Sequence, residues 1–306
     1  MMNRTYVETV RLLLEAAPHF FQARCLALKG GTALNLFVQE MPRLSVDLDI
    51  VYADHTKQRR AALDEIAAEF DVAKKQLARH GIESELIRTK DGDEVKLLVR
   101  RGTQQVKIEV NHVFRGTVLP VEQRRLVATV RDLFTTDLSL PMLAVPELYG
   151  SKLVAAMDRQ HPRDLYDVRG MYQGFGLSAD IVECFVCYLA GHNRPIHEVL
   201  FSRDSNMAPA FENEFAGMTG EPISLAELVT TRERLRRELP DALTDAQRRF
   251  LFSLANAEPE WSLMSCSHLS ELPALRWKLQ NLAKLKKTNP RKLQQQADEL
   301  KSQLEM

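Results

Sequence analysis

The stretch Val46-Asp47-Leu48-Asp49-Ile50-Val51-Tyr52 constrains this chain more tightly than any other part of its 306 residues. Its apolar and acidic residues alternate. Successive side chains of a strand point to opposite faces, so this pattern predicts a β-strand over 46–52. Val46, Leu48 and Ile50 then turn into a core, and Asp47 and Asp49 turn away from it together. Two carboxylates side by side repel each other unless a cation sits between them. A hard divalent ion meets that need, because Mg²⁺ takes oxygen ligands and commonly uses one or two carboxylates together with substrate phosphates.

The residues around this strand extend the argument. Leu26-Ala27-Leu28 is a short apolar segment that runs through Lys29 into Gly30-Gly31-Thr32. Glycine has no Cβ to obstruct an anion, so backbone N–H groups of such a turn can approach phosphate closely. If Thr32 opens a helix through Phe37, the positive helix end faces the same anion. Arg43 and Ser45 lie just ahead of the acidic strand and can join the site. A second alternation, 105–111, sets Val106, Ile108 and Val110 against Lys107 and Glu109, which makes Glu109 a candidate third carboxylate in a two-metal site. Such a site suits transfer of a nucleotide from its triphosphate.

Elsewhere the pattern divides the chain into two halves. A helix is expected over 6–23, broken near Pro18, with Val10, Leu13, Leu14, Phe20 and Phe21 apolar. A second is expected over 56–80, with Leu63, Ile66, Ala67, Phe70 and Leu77 on one face. Strands are expected over 83–88 and 94–100, joined by a hairpin turn at Lys90-Asp91-Gly92-Asp93. Pro146 suits the start of a helix carrying Lys152, and the chain beyond it reads as helical, apart from an irregular stretch over 202–222. The expected organisation is a catalytic domain over 1–140 and a helical domain over 141–306 that completes the active site and binds the acceptor. Within the second half, Lys152, Arg163, Asp164 and Asp167 form a further polar cluster. Asp164 and Asp167 lie one helical turn apart behind Pro162, either as functional acids or as a first-turn pair bound locally to Arg159 and Arg163.

Composition narrows the class without naming a partner. Lys plus Arg equals Asp plus Glu at 41 each, so any nucleic-acid surface must come from local segregation of charge. No apolar run approaches the roughly 20 residues that span a bilayer. With four cysteines in so long a chain, a disulfide framework is not expected, and the reading is a cytoplasmic protein with no membrane partner.

At this point the residues match a known pattern. LALKGGTALNLF with RLSVDLDIVY resembles the signature of AbiEii/AbiGii-type nucleotidyltransferase toxins, within the polymerase-β-like superfamily. PELYGSKLVAAMDRQHPRDLYDV resembles the family's later Lys and R-D-x-x-D motifs. FAGMTGEPIS, LTDAQRRFLFSL, PEWSLM and LPALRWKLQNL resemble its helical half. The resemblance implies an α+β protein, with a small mixed sheet flanked by helices in a polymerase-β-like nucleotidyltransferase fold, followed by a mostly helical domain. It implies a toxin of a toxin–antitoxin or phage-defence (abortive infection) pair with an antitoxin encoded nearby. It also implies Mg²⁺, with Mn²⁺ as an alternative, and transfer of a nucleoside monophosphate from an NTP to the 3′ end of tRNA. Asp47 and Asp49 become metal ligands, with Glu109 resting on strand alternation. Lys29, Gly30, Gly31, Thr32, Arg43, Ser45, Lys152 and Arg163 become nucleotide-binding residues. Lys152 doubles as the triphosphate-contacting lysine of the catalytic set, which ends in Asp164 or Asp167. Gly-Thr stands where the wider superfamily has Gly-Ser. The rivals are a protein-modifying nucleotidyltransferase and a catalytically silent NTP-binding regulator.

Other features read as structural. Cys184-Phe-Val-Cys187 sits inside an apolar helical run and reads as buried thiols. His161 reads as a loop histidine. Two basic stretches remain, 232–237 and 276–292; for the second, a cradle for tRNA phosphates and a solvated helix face are equally supported.

Overall fold

The computed structural model describes residues 4–88, 94–112 and 114–305. The chain divides into two compact units, one of residues 1–148 with 217–222, the other of 149–216 with 223–306. The segment 217–222 thus returns to the first unit from far along the chain.

The first unit carries a sheet of seven strands in the order β3-β4-β5-β2-β1-β7-β6. They are β1 (Leu26–Lys29), β2 (Asp47–Tyr52), β3 (Glu83–Arg88), β4 (Glu94–Arg101), β5 (Gln104–Asn111), β6 (Glu122–Arg125) and β7 (Ser139–Met142). The sheet is mixed: β2 runs parallel to β5 and β1 parallel to β7, and the remaining neighbours are antiparallel. It is the mixed sheet expected; β6 and β7, short and without clear alternation, are the strands that the sequence pattern did not show. The hairpin turn expected at 90–93 lies outside the described residues.

Leu28, Ile50 and Val110 share one register row, as do Leu48 and Ile108, and all are buried. Each such side chain contributes roughly 1.5–3 kcal/mol on burial, and a slip of one residue would bury Asp47 and Asp49 in their place. Register is therefore fixed by the same alternation that exposes the acids.

Helix α1 (Arg4–Ala16) packs on β4 and β5 and passes into a 3₁₀ turn, Ala17–Phe20, that contains Pro18. Helix α2 (Gly30–Phe37) follows β1 without a linker. Helix α3 (Arg59–Arg79) buries Ala62, Ile66, Phe70, Ala73 and Leu77. Small Ala62 and Ala73 thus take the places expected of Leu63 and Ala67, and Ala67 is exposed. Helix α4 (Ala128–Phe134) completes the described helices of this unit, and α5 (Val145–Arg159) begins in it with Pro146 in its first turn.

The second unit is helical: α6 (Pro162–Gly174), α7 (Ala179–Ala190), α8 (Ile196–Leu200), α9 (Ala208–Ala210), α10 (Leu225–Asp241), α11 (Asp245–Ala255), α12 (Pro273–Thr288) and α13 (Pro290–Gln303). Ser224 with Glu227, and Thr244 with Gln247, form reciprocal capping boxes that start α10 and α11. The irregular stretch expected over 202–222 holds α9 and a single π turn, Phe211–Phe215. Cys184 and Cys187 are buried and in no disulfide, and a Cβ on Gly150 would stand 2.6 Å from the Cβ of Cys184, so α5 and α7 meet there backbone to backbone.

Candidate active site

In the first unit, the register places Lys29 of β1 opposite Asp49 of β2, Asp49 opposite Glu109 of β5, and Glu109 opposite Lys96 of β4. Adjacent strands lie about 4.8 Å apart, so these four side chains form a continuous row across the sheet face that the core does not use. Asp47 stands opposite Lys107 one step along the same face. Asp47 and Asp49 are each half-buried, while Leu48 between them is buried.

Gly30 opens α2 with φ +76°, a left-handed conformation that glycine adopts without strain, and a Cβ there would collide with the Asp49 carboxylate. A Cβ on Gly31 would stand 2.7 Å from Nη2 of Arg43 and 3.0 Å from Oγ of Ser45. Both glycines are thus required by close approach: the first turn of α2, Asp49, Arg43 and Ser45 share one surface. The helix opens at Gly30, two residues earlier than Thr32. Thr32 is buried, and its hydroxyl lies 3.1 Å from Oγ of Ser45 and donates to the carbonyl of Asp47 at 2.5 Å. Asn35 donates from Nδ2 to the carbonyl of Gly31 at 2.9 Å. The loop that carries Arg43 and Ser45 is held by the returning segment. Leu44 N donates to Met218 O at 2.8 Å, Gly220 N donates to Pro42 O at 3.0 Å, and Arg43 bridges Thr219.

Glu109 is engaged by cations, with Lys96 Nζ at 2.8 Å and Lys107 Nζ at 3.2 Å. Burial raises its carboxyl pKa, but the two ammonium groups outweigh burial and hold it below the usual value. Among the described residues no cluster of three or more His, Cys, Asp or Glu is placed to hold a metal ion. Asp47 and Asp49 are a two-carboxylate set, which fits a hard ion that takes its other ligands from water and substrate phosphate.

The second cluster lies within the helical unit. Lys152 on α5 sends its ammonium to Asp164 at 2.9 Å and to Asp167 at 3.1 Å, and Arg159 adds a further contact to Asp164 at 2.6 Å. The two acid side chains are 1% and 0% exposed and the lysine 9%. Burial raises the Asp164 pKa, yet Lys152 and Arg159 overcome it and hold the carboxyl well below the ordinary aspartate value. Arg163 turns outward to Glu214, and His161 is the N-cap of α6, its Nδ1 accepting from Arg163 N at 3.1 Å.

A family model described as the nucleotidyl transferase AbiEii toxin of type IV toxin–antitoxin systems matches residues 11–281. The chain belongs to this family. Membership makes it a nucleotidyltransferase toxin of a type IV toxin–antitoxin system, with a nucleoside triphosphate substrate and an antitoxin partner. No curated protein sequence matches it. Among solved structures it is similar to MenT4, a nucleotidyltransferase toxin from Mycobacterium tuberculosis H37Rv. The two are 19% identical, with 92% of this chain and 95% of that one covered at a TM-score of 0.60. At that identity the likeness establishes the shared fold.

In this AbiEii toxin, Lys29, Gly30, Gly31, Thr32, Arg43, Ser45, Asp47, Asp49 and Glu109 come together in the first unit. Lys152, Asp164 and Asp167 come together in the second. Sequence reasoning passed over Asn35 and read the 217–222 segment with the helical half, whereas it pairs with the Arg43 loop of the first unit. Asn35 had a local signal, four residues beyond Gly31 on a helix. The returning segment had none, since its partners lie some 175 residues away in the chain. No helix among the described residues is long and apolar enough to cross a membrane.

Proposed function

We propose that this toxin transfers a nucleoside monophosphate from an NTP to the 3′ hydroxyl of tRNA, with Mg²⁺ held by Asp47 and Asp49. The observation that carries this reading is the packing of Gly30 against the Asp49 carboxylate and of Gly31 against Arg43 and Ser45. A phosphate seated on the first turn of α2 meets backbone N–H groups and the positive helix end, with the two acids alongside. When bound, Mg²⁺ supplies charge neutralisation for the triphosphate and activation of the attacking hydroxyl. Arg43, and Lys29 at the end of β1, add positive charge at the rim of the same turn. The hydroxyl oxygen forms a bond to the α-phosphorus, the bond from that phosphorus to the bridging oxygen breaks, pyrophosphate departs, and the hydroxyl proton passes to solvent.

Glu109, neutralised by Lys96 and Lys107, tunes the row beside Asp49. On the resemblance, Lys152 contacts the triphosphate and Asp164 or Asp167 orients the acceptor. The test is incubation of the purified toxin with tRNA and each α-labelled NTP, with Mg²⁺ or with a chelator. Label at tRNA 3′ ends only when Mg²⁺ is present is the expected result. Label in protein alone, or undiminished transfer under chelation, overturns the reading.

A further inference from the structure

Helix α12 has two faces of opposite character. On the inner face Ala274, Leu275, Lys278 and Leu282 are buried, and the Lys278 ammonium is spent on the carbonyls of His192 and Arg194 at 2.9 and 2.6 Å. At 100° per residue, Arg276, Lys287, Gln280, Lys284 and Trp277 fall within about a third of the helix circumference, opposite that stripe. All five are exposed, and Trp277 is 56% exposed, the most exposed of the large apolar side chains among the described residues. The helix contains no Asp or Glu. Asn289 then turns the chain into α13, whose first turn carries Arg291 and Lys292 and no acid. Cations at a helix N-terminus oppose the helix dipole, so their own helix does not account for them.

The other basic stretch shows what a solvated or structural run looks like in this chain. Arg232 binds Gln160, Ser205 and Asp204; Arg234 pairs with Glu238 and covers the ring of Tyr172; Arg236 pairs with Asp204 and Arg237 with Glu238. By contrast Arg276, Lys284, Lys287, Arg291 and Lys292 make no ion pair among the described residues, and only Lys286 of the run is matched, by Glu258 at 2.7 Å.

We propose that the outer face of α12, with the first turn of α13, is an RNA-docking surface on which Trp277 stacks a base and Arg276, Lys284, Lys287, Arg291 and Lys292 hold phosphates. The inference rests on the reading that the acceptor is RNA. A solvated helix face would intersperse acids among its cations and would not expose a tryptophan. An aromatic platform flanked by cations is the chemistry that unpaired bases and their backbone select. From Arg276 to Lys287 the helix rises about 16 Å, enough to track several nucleotides.

The test uses the full-length toxin and fluorescently labelled bulk tRNA, without NTP, so that binding is read apart from transfer. Arg276→Gln, Lys284→Gln and Lys287→Gln combined should flatten the dependence of log Kd on log salt by about two to three. Trp277→Ala should weaken binding about tenfold with the salt slope unchanged, and Trp277→Phe should recover most of it. All these positions are exposed, so circular dichroism and melting should match the parent. Wild-type affinity and slope in the triple variant overturn the proposal. So does a triple variant that binds tRNA normally but escapes neutralisation by its antitoxin, which would assign the face to a protein partner. If the variants bind as expected while no tRNA is ever nucleotidylated, the docking surface stands and the reading of the acceptor falls.

Discussion

The two acidic clusters of this toxin use similar residues to opposite ends. Asp47 and Asp49 sit half-exposed on a sheet face, beside a glycine turn from which side chains are excluded. Asp164 and Asp167 sit fully buried around Lys152, with Arg159 closing over Asp164. A half-exposed pair of like charges stays within reach of a cation from solvent. A buried set must bring its counter-charge with it, because each isolated ion would cost several kcal/mol. The contrast predicts different consequences for the same kind of substitution: loss of chemistry with the fold intact in the first cluster, and loss of folding in the second whatever its residues add to the chemistry.

The largest effect is expected at Asp49. Asp49→Ala should lower nucleotide transfer by on the order of 10³-fold, as for removal of a group that stabilises developing charge. Its denaturation midpoint should stay near that of the parent, since the side chain is half-exposed. Transfer within tenfold of the parent would break the comparison at its first term.

Asp164→Asn should reverse the pattern. Removing one carboxylate leaves Lys152 and Arg159 short of a counter-charge, at a cost of about 3–5 kcal/mol in unfolding free energy. The same pairing fixes a pH dependence. Because the folded pKa lies below the ordinary 3.8, the contribution of Asp164 is complete above that value and is lost as pH falls from there through the depressed folded pKa. Chemical denaturation between pH 3 and pH 6 should therefore show the parent losing its advantage over Asp164→Asn as acid is added. A constant gap across that range would mean that the acid does not titrate against Lys152. Transfer per folded molecule adds a second reading: a steep fall assigns the orienting role to Asp164, and unchanged transfer leaves that role to Asp167.

How much of this was legible in the sequence follows from the range of the interactions. The acid pair was visible because alternation is local: Asp47 and Asp49 announce their common face within seven residues. Lys152, Asp164 and Asp167 were visible as a group through spacing, but their burial was not, since apolar periodicity marks a covered helix face and charged residues on a helix read by that rule as solvated. The strands β6 and β7 were missed for a related reason. Each is four residues long, and only pairing with the rest of the sheet makes them strands. The hold of Met218 and Gly220 on the Arg43 loop was the least legible feature, a backbone contact between segments that share no pattern.

Gly30→Ala tests whether the turn and the acid are truly one surface. The left-handed backbone alone costs an alanine about 1–2 kcal/mol, and the new methyl group must displace the Asp49 carboxylate. Transfer should fall by about ten- to a hundredfold, more than the strain explains through unfolding, with the loss in turnover and in apparent affinity for NTP together. The parallel change Gly81→Ala supplies the control: φ is +67° there too, but nothing lies within 4 Å of the added Cβ. It should show the strain in the melting profile without the loss of transfer.

The smallest effect is expected at Glu109, and it decides how far the open cluster extends. Its carboxylate stands in register with Asp49, as a third metal ligand would, yet Lys96 and Lys107 already bind it. If those lysines are its function, Glu109→Gln keeps the shape and most of the hydrogen bonding, and transfer should change by less than about tenfold. Lys96→Met, which frees one Glu109 oxygen toward Asp49, should then tighten the Mg²⁺ requirement, shifting half-saturation to lower concentration by a few-fold as the row becomes more negative. A loss at Glu109→Gln equal to that at Asp49→Ala would instead place three acids on the metal. The lysines would then be resting partners displaced when the ion binds, and the row would read as a site closed by its own cations until substrate arrives.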